Sequence, residues 1–144
     1  LIMKLVKESL NEFERGLEPK VALGIGRVFK IRKCFRDLDI PDEDYKILLN
    51  GVIYNGYLFL KDKNVVWLPD GLQIMGNLNL ENNPIKKLPK DLEINGWLGL
   101  NDTLITELPN DLYVKLYISV GQNQRDLIAF IKGSEFANKL MIWE

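Results

Sequence analysis

Residues 56–75, 76–95 and 96–115 read GYLFLKDKNVVWLPDGLQIM, GNLNLENNPIKKLPKDLEIN and GWLGLNDTLITELPNDLYVK, three consecutive copies of one twenty-residue unit. Written as a pattern the unit is G-x-L-x-L-x4-[VI]-x2-L-P-x2-L-x-[IV]-x, and Ile118 and Val120 carry it into a fourth copy. A fixed period decides the architecture and is therefore read before any single element. Alternation in G-x-L-x-L, and again in L-x-I, predicts two short extended segments per unit, each turning alternate side chains inward. Pro69, Pro89 and Pro109 cannot donate to a strand ladder, so they belong at the corner between the two segments. Equivalent segments of successive copies then pair in parallel, and the columns Leu58, Leu78, Leu98 and Leu60, Leu80, Leu100 stack into one core. The expected fold class is α+β: a short parallel β solenoid of about three to four coils, with a helical cap at each end.

Outward from the repeats, the flanks read as those caps. Met3, Val6, Leu10, Phe13 and Leu17 follow helical spacing over residues 3–16, and Gly16 is a natural stop. A second helix is predicted from near Gly24 or Gly26 to about Leu38, with Ile25, Val28, Phe29, Ile31, Phe35 and Leu38 on its apolar half and Arg27, Lys30, Lys33 and Cys34 on the other. Residues 45–54 read as a hairpin turning at Asn50-Gly51, a degenerate first coil. Beyond the repeats, Asn123 is the predicted cap of a helix over residues 124–132 that Gly133 ends. Phe136 to Trp143 reads as a terminal strand or a segment folded back over the repeats. The whole is expected to be one domain, 1–144, with residues 3–38 as N-terminal cap, 45–120 as repeats and 121–144 as C-terminal cap.

The repeats resemble the short bacterial and phage form of the leucine-rich repeat, L-x-L-x-x-N-x-I-x-x-L-P, most closely over residues 78–89. The likeness spans about residues 55–120 and implies a solenoid that serves as a protein-interaction module. Two departures are visible: the asparagine at Asn83 becomes Lys63 and Thr103 in neighbouring units, and a glycine with a second strand stands where a convex helix is usual. These imply a rather flat, two-sided form. The opening residues 6–16, continued by Pro19 and by residues 23–26, resemble a short leader of small tailed-phage proteins. That resemblance implies a phage or prophage source and makes Met3 the natural start.

Composition narrows the function. The 144 residues are 47% hydrophobic and 27% charged, with no histidine and one cysteine, Cys34. An internal disulfide is excluded, and the commonest general base and metal ligand is missing. No apolar run reaches a membrane-spanning length, and Lys4, Lys7 and Glu8 interrupt any secretory stretch, so a cytoplasmic protein without membrane contact is expected. Net charge is −1, yet residues 1–36 hold nine Lys/Arg against four Asp/Glu. Residues 23–26 contain G-x-G but lack the third glycine and the Lys-Ser/Thr of a phosphate loop; they read as a helix boundary. Cys34 stands among Arg27, Lys30, Lys33 and Arg36, which favour a thiolate if it is exposed, but nothing beside it serves as a base. The acidic run from Asp37 to Asp44 lacks the glycine and closing glutamate of a calcium loop and reads as a solvated turn. No catalytic residue, metal site or cofactor is expected.

Two surfaces remain. The outward positions of G-x-L-x-L place Tyr57, Asn77, Trp97 and Tyr117 in one exposed column, with Phe59, Asn79, Gly99 and Ser119 beside it. Aligned aromatic residues supply interface energy, so Tyr57, Phe59, Asn77, Asn79, Trp97 and Tyr117 are the candidate protein-binding residues. The alternative to that non-enzymatic binder is a nucleic-acid-associated accessory protein using Arg27, Lys30, Arg32, Lys33 and Arg36, a reading opposed by the acidic remainder of the chain. Neither the partner, host or phage, nor the oligomeric state follows from the sequence.

Overall fold

The computed structural model describes residues 19–144, with side chains from Gly24 onward. The helix expected over residues 3–16, and the part of the leader before Pro19, lie outside the described residues. The chain divides into two compact units, Leu1–Asp42 and Glu43–Glu144.

In the first unit, helix α1 spans Pro19–Asp37. It starts earlier than the sequence suggests, and Gly24 and Gly26 lie inside it. Proline at the first helical position is already set for a helix, and two interior glycines cost only about 1 kcal/mol each against alanine. Ile31, Cys34 and Phe35 form the buried stripe, whereas Phe29 is exposed. Cys34 thus moves from the expected polar half to the buried side, because i, i+3 and i+4 share one face. The helix ends in a Schellman motif: Asp39 adopts φ 59°, its N–H donates to the Arg36 carbonyl (3.0 Å), and the Ile40 N–H donates to that of Phe35 (2.8 Å).

The second unit is built from short strands. The strands are β1 (Tyr45–Ile47), β2 (Val52–Tyr54), β3 (Leu58–Phe59), β4 (Leu72–Ile74), β5 (Leu78–Asn79), β6 (Glu93–Ile94), β7 (Leu98–Gly99), β8 (Tyr113–Val114), β9 (Ile118–Gly121) and β10 (Leu140–Trp143). They form two five-stranded sheets, ordered β1-β2-β4-β6-β8 and β10-β9-β7-β5-β3. The expected hairpin is present, with β1 and β2 antiparallel, but it turns at Leu49-Asn50 and not at Asn50-Gly51: Tyr45 stands opposite Tyr54, Ile47 opposite Val52, and the Leu48 N–H donates to the Gly51 carbonyl (2.8 Å). All other pairings are parallel. Leu58, Leu78, Leu98 and Ile118 face one another in succession, as do Ile74, Ile94 and Val114. With helix α2 (Arg125–Lys132), the described chain is a mixed α+β structure of two helices and two sheets of parallel strands, with no closed barrel.

The core of this unit is the set of repeat columns. Leu78, Leu80, Leu98 and Leu100 are completely buried, as are Leu72, Ile74, Leu92 and Ile94 from the other sheet. Each such side chain contributes about 1.5–3 kcal/mol by leaving water. Glycine opens the unit because the backbones nearly touch there: a Cβ on Gly76 would lie 2.7 Å from the Gly56 carbonyl oxygen, and one on Gly96 would lie 2.9 Å from that of Gly76.

An asparagine ladder does not form; a single buried residue serves two repeats instead. Asn83 Oδ1 accepts from the N–H groups of Lys63 (3.2 Å) and Val65 (2.9 Å). Its Nδ2 donates to the carbonyls of Leu60 (2.8 Å), Leu80 (2.9 Å) and Glu81 (3.2 Å). One repeat on, Thr103 Oγ1 donates to the Leu100 carbonyl (2.8 Å). At the last repeat Gln124 takes over: its Nε2 donates to that same carbonyl (2.8 Å) and its Oε1 accepts from the Gly121 N–H (2.6 Å).

Gln124, not Asn123, is therefore the N-cap residue of α2, and it makes no side-chain cap bond because its amide is spent on the strands. Leu127 and Ile131 bury the inner face of α2, and Gly133 ends it as expected. The final segment is a strand and not a covering flap: β10 pairs in parallel with β9, with Leu140 opposite Ile118 and Trp143 opposite Gly121.

Candidate functional site

The outer face of the second sheet carries three rows of side chains, because alternate residues of each strand point the same way. The first row is Tyr57, Asn77, Trp97 and Tyr117. The second is Phe59, Asn79, Gly99, Ser119 and Met141, fixed by strand register. The third is Lys61, Glu81, Asn101, Gly121 and Trp143.

The aromatic members of the first row touch. Trp97 and Tyr117 lie nearly parallel with centroids 6.0 Å apart. Tyr57 meets the edge of Trp97 at 5.4 Å, although the two stand on strands separated by roughly 10 Å. Asn77, just before the strand between them, accepts with its Oδ1 from the backbone N–H of Trp97 (2.9 Å) and so is a support of the aromatic row. Phe59 extends the cluster, 5.9 Å from Tyr57.

The middle of the second row is a floor, between exposed Phe59 and Met141 at its ends. Asn79 and Ser119, expected beside the exposed column, are buried. Asn79 Oδ1 accepts from the Glu81 N–H (2.9 Å), and Ser119 Oγ donates to Asn101 Oδ1 (2.6 Å). Between them Gly99 leaves room for the Trp97 indole, since a Cβ there would sit 3.0 Å from Trp97 Cζ3. The result is a trough of about 360 Å³ with Trp97 and Tyr117 on one side and Glu81, Asn101 and Trp143 on the other. Tyr57, Phe59 and Trp143 remain 44%, 54% and 55% exposed. Trp143 is the member that sequence reasoning missed: β10 follows β9 at an offset of 22, not 20, because α2 intervenes.

The basic helix is a different kind of surface. Lys33 donates to Asp37 Oδ2 (2.9 Å), and that bond raises its pKa. Arg36 donates to Asp42 Oδ2 (3.1 Å), and Arg32 stands 3.7 Å from the other oxygen of the same carboxylate. Three of the five candidate nucleic-acid residues are thus engaged by carboxylates of their own unit. Cys34 is no thiolate: burial first, and Asp37 second, push its thiol up to about 11 against the pull of Lys30 and Lys33. Among the described residues no group of three or more His, Cys, Asp or Glu is placed to hold a metal ion. Among the same residues no helix is long and apolar enough to cross a membrane.

Comparison with protein-family models, with curated proteins and with solved structures gives no match to this chain.

Proposed function

We propose that this chain is a non-enzymatic repeat protein, a leucine-rich-repeat-like solenoid, that docks another protein on the aromatic face of its second sheet. The twenty-residue offset of the parallel pairings supports the solenoid reading. One observation carries the functional reading: Tyr57, Phe59, Trp97, Tyr117 and Trp143 gather on one face of the second unit, three of them exposed. Aromatic side chains supply most interface energy and few degrees of freedom to lose. The leader-like opening favours a phage protein acting in the cytoplasm of a bacterial host, which makes a bacterial lysate the source of partner.

Affinity capture from such a lysate, with wild type and a Tyr57→Ala/Phe59→Ala variant side by side, tests the reading. The variant melts within a few degrees of wild type and binds the captured protein about 2 kcal/mol more weakly, as truncation of exposed interface anchors does. Equal retention by both proteins overturns the assignment of the face. The basic helix is the competing surface, and its ion pairs with Asp37 and Asp42 argue against a phosphate contact there. Salt-sensitive micromolar binding of DNA or RNA, lost on replacing Lys30, Lys33 and Arg36 by Gln, favours that surface instead.

A further inference from the structure

The trough has a charge as well as a shape. Its lining holds the carboxylates of Glu81 and Glu144, three aromatic rings, and no lysine or arginine. A neutral apolar occupant strips water from a carboxylate and returns no partner, which is costly. A cation satisfies the carboxylate and the negative faces of the rings together. Among cationic side chains, the guanidinium is planar and weakly hydrated, stacks on aromatic faces and forks onto a carboxylate, whereas an ammonium does so only as a point charge.

We propose that the trough takes an arginine side chain presented by an exposed segment of the partner protein, with Glu81 as its counter-charge and Trp97, Tyr117 and Trp143 as its walls. The proposal rests on the reading of this face as a protein-docking surface and adds the chemistry of what enters it. Charge complementarity extends beyond the trough: residues 43–144 hold ten Lys/Arg against thirteen Asp/Glu. Lys61 is the internal competitor. Its Nζ lies 3.5 Å from Glu81 Oε1, with both side chains partly exposed. Such a pair is weak, and it leaves Oε2 for an incoming donor.

The test is a titration of the full chain followed through its indole N–H signals in ¹H–¹⁵N correlation spectra, with Trp67, which does not line the trough, as internal control. The probes are acetyl-Gly-Gly-Arg-Gly-Gly-amide, the same peptide with citrulline, which keeps the shape without the charge, and cellotetraose as a neutral hydroxylated occupant. The arginine peptide is expected to shift the Trp97 and Trp143 signals saturably and leave Trp67 in place, with the citrulline peptide at least about tenfold weaker. Glu81→Gln weakens the arginine peptide about tenfold, and Lys61→Gln strengthens it severalfold; the opposite signs are not the mark of a merely structural Glu81. Equal binding of the two peptides, or indifference to Glu81→Gln, overturns the proposal. Saturation of the same indoles by cellotetraose and not by the arginine peptide overturns it in favour of a glycan. If no probe moves Trp97 or Trp143 while partner capture still requires Tyr57 and Phe59, the arginine proposal falls and the docking face stands.

Discussion

Cys34 shows how far a residue's surroundings can reverse its sequence context. Four basic neighbours in sequence argue for a thiolate, but the helix turns the sulfur to its buried side, and desolvation outweighs Lys30 and Lys33. The protonated form is therefore the one the fold prefers. Between pH 9 and 11 the unfolded chain releases the thiol proton while the folded chain retains it, so this residue's contribution to stability falls as pH rises across that window. Melting temperature is expected to drop between pH 8 and 10.5, and Cys34→Ala to drop less. Native protein reacts slowly with a thiol-directed disulfide reagent at pH 8, and denaturant restores the rate; fast labelling of the native form contradicts the burial. Asn83 is the opposite case, a polar residue the fold cannot release. Its amide holds two N–H groups and three carbonyls of adjoining repeats. Asn83→Ala leaves buried backbone groups unpaired, at about 1–3 kcal/mol for each one that water cannot reach, and thermal melting reads the loss.

At the scale of elements, the strands were legible because the pattern gives both period and face. Leu98 is predicted from the column, and the structure buries it completely between Leu78 and Ile118. Leu98→Ala is expected to cost about 2–5 kcal/mol in denaturant or thermal unfolding; a loss below 1 kcal/mol contradicts the column. The hairpin was legible from its turn residues, but its turn closes one residue earlier than Asn50-Gly51: Ile47 faces Val52, the Leu48 N–H donates to the Gly51 carbonyl, and neither Asn50 nor Gly51 takes a positive φ. What was hidden depends on partners remote in sequence. Nothing near Gln124 announces that its amide reaches back to Leu100, 24 residues away, and displaces Asn123 as the cap. Gly24 and Gly26 suggest a helix boundary, yet α1 runs through both from Pro19, because an interior glycine weakens a helix without breaking it. In the candidate site, the aromatic row was visible in the repeat, whereas the buried floor and Trp143 depend on which neighbours cover Asn79 and Ser119 and on a register that leaves the twenty-residue period.

At the scale of the whole second unit, parallel pairing joins each repeat to the next, and the Tyr57–Trp97 ring contact reaches one repeat further, so most of the stability lies in contacts between adjacent repeats. That arrangement predicts a gradient of protection across the sheet. The N–H groups of Leu80 and Leu100, bonded to the carbonyls of Gly99 and Ser119, directly follow the inner strands β5 and β7 and have a repeat on either side. The Gln122 N–H, bonded to the Trp143 carbonyl, depends on the outermost strand, whose residues 141–143 are exposed. Opening the edge uncovers little apolar surface, so Gln122 exchanges through a local event of low free energy, while Leu80 and Leu100 exchange through unfolding of the stack. Leu98→Ala separates the two routes. It lowers the opening free energy at Leu80 and Leu100 by the same amount that it lowers the unfolding free energy, and leaves Gln122 unchanged, because the local event does not expose position 98. Native-state hydrogen exchange under mild denaturant measures both. A Gln122 amide that loses protection in step with Leu100 means that β10 opens only with the core, and the terminal strand is then a full member of the cooperative unit.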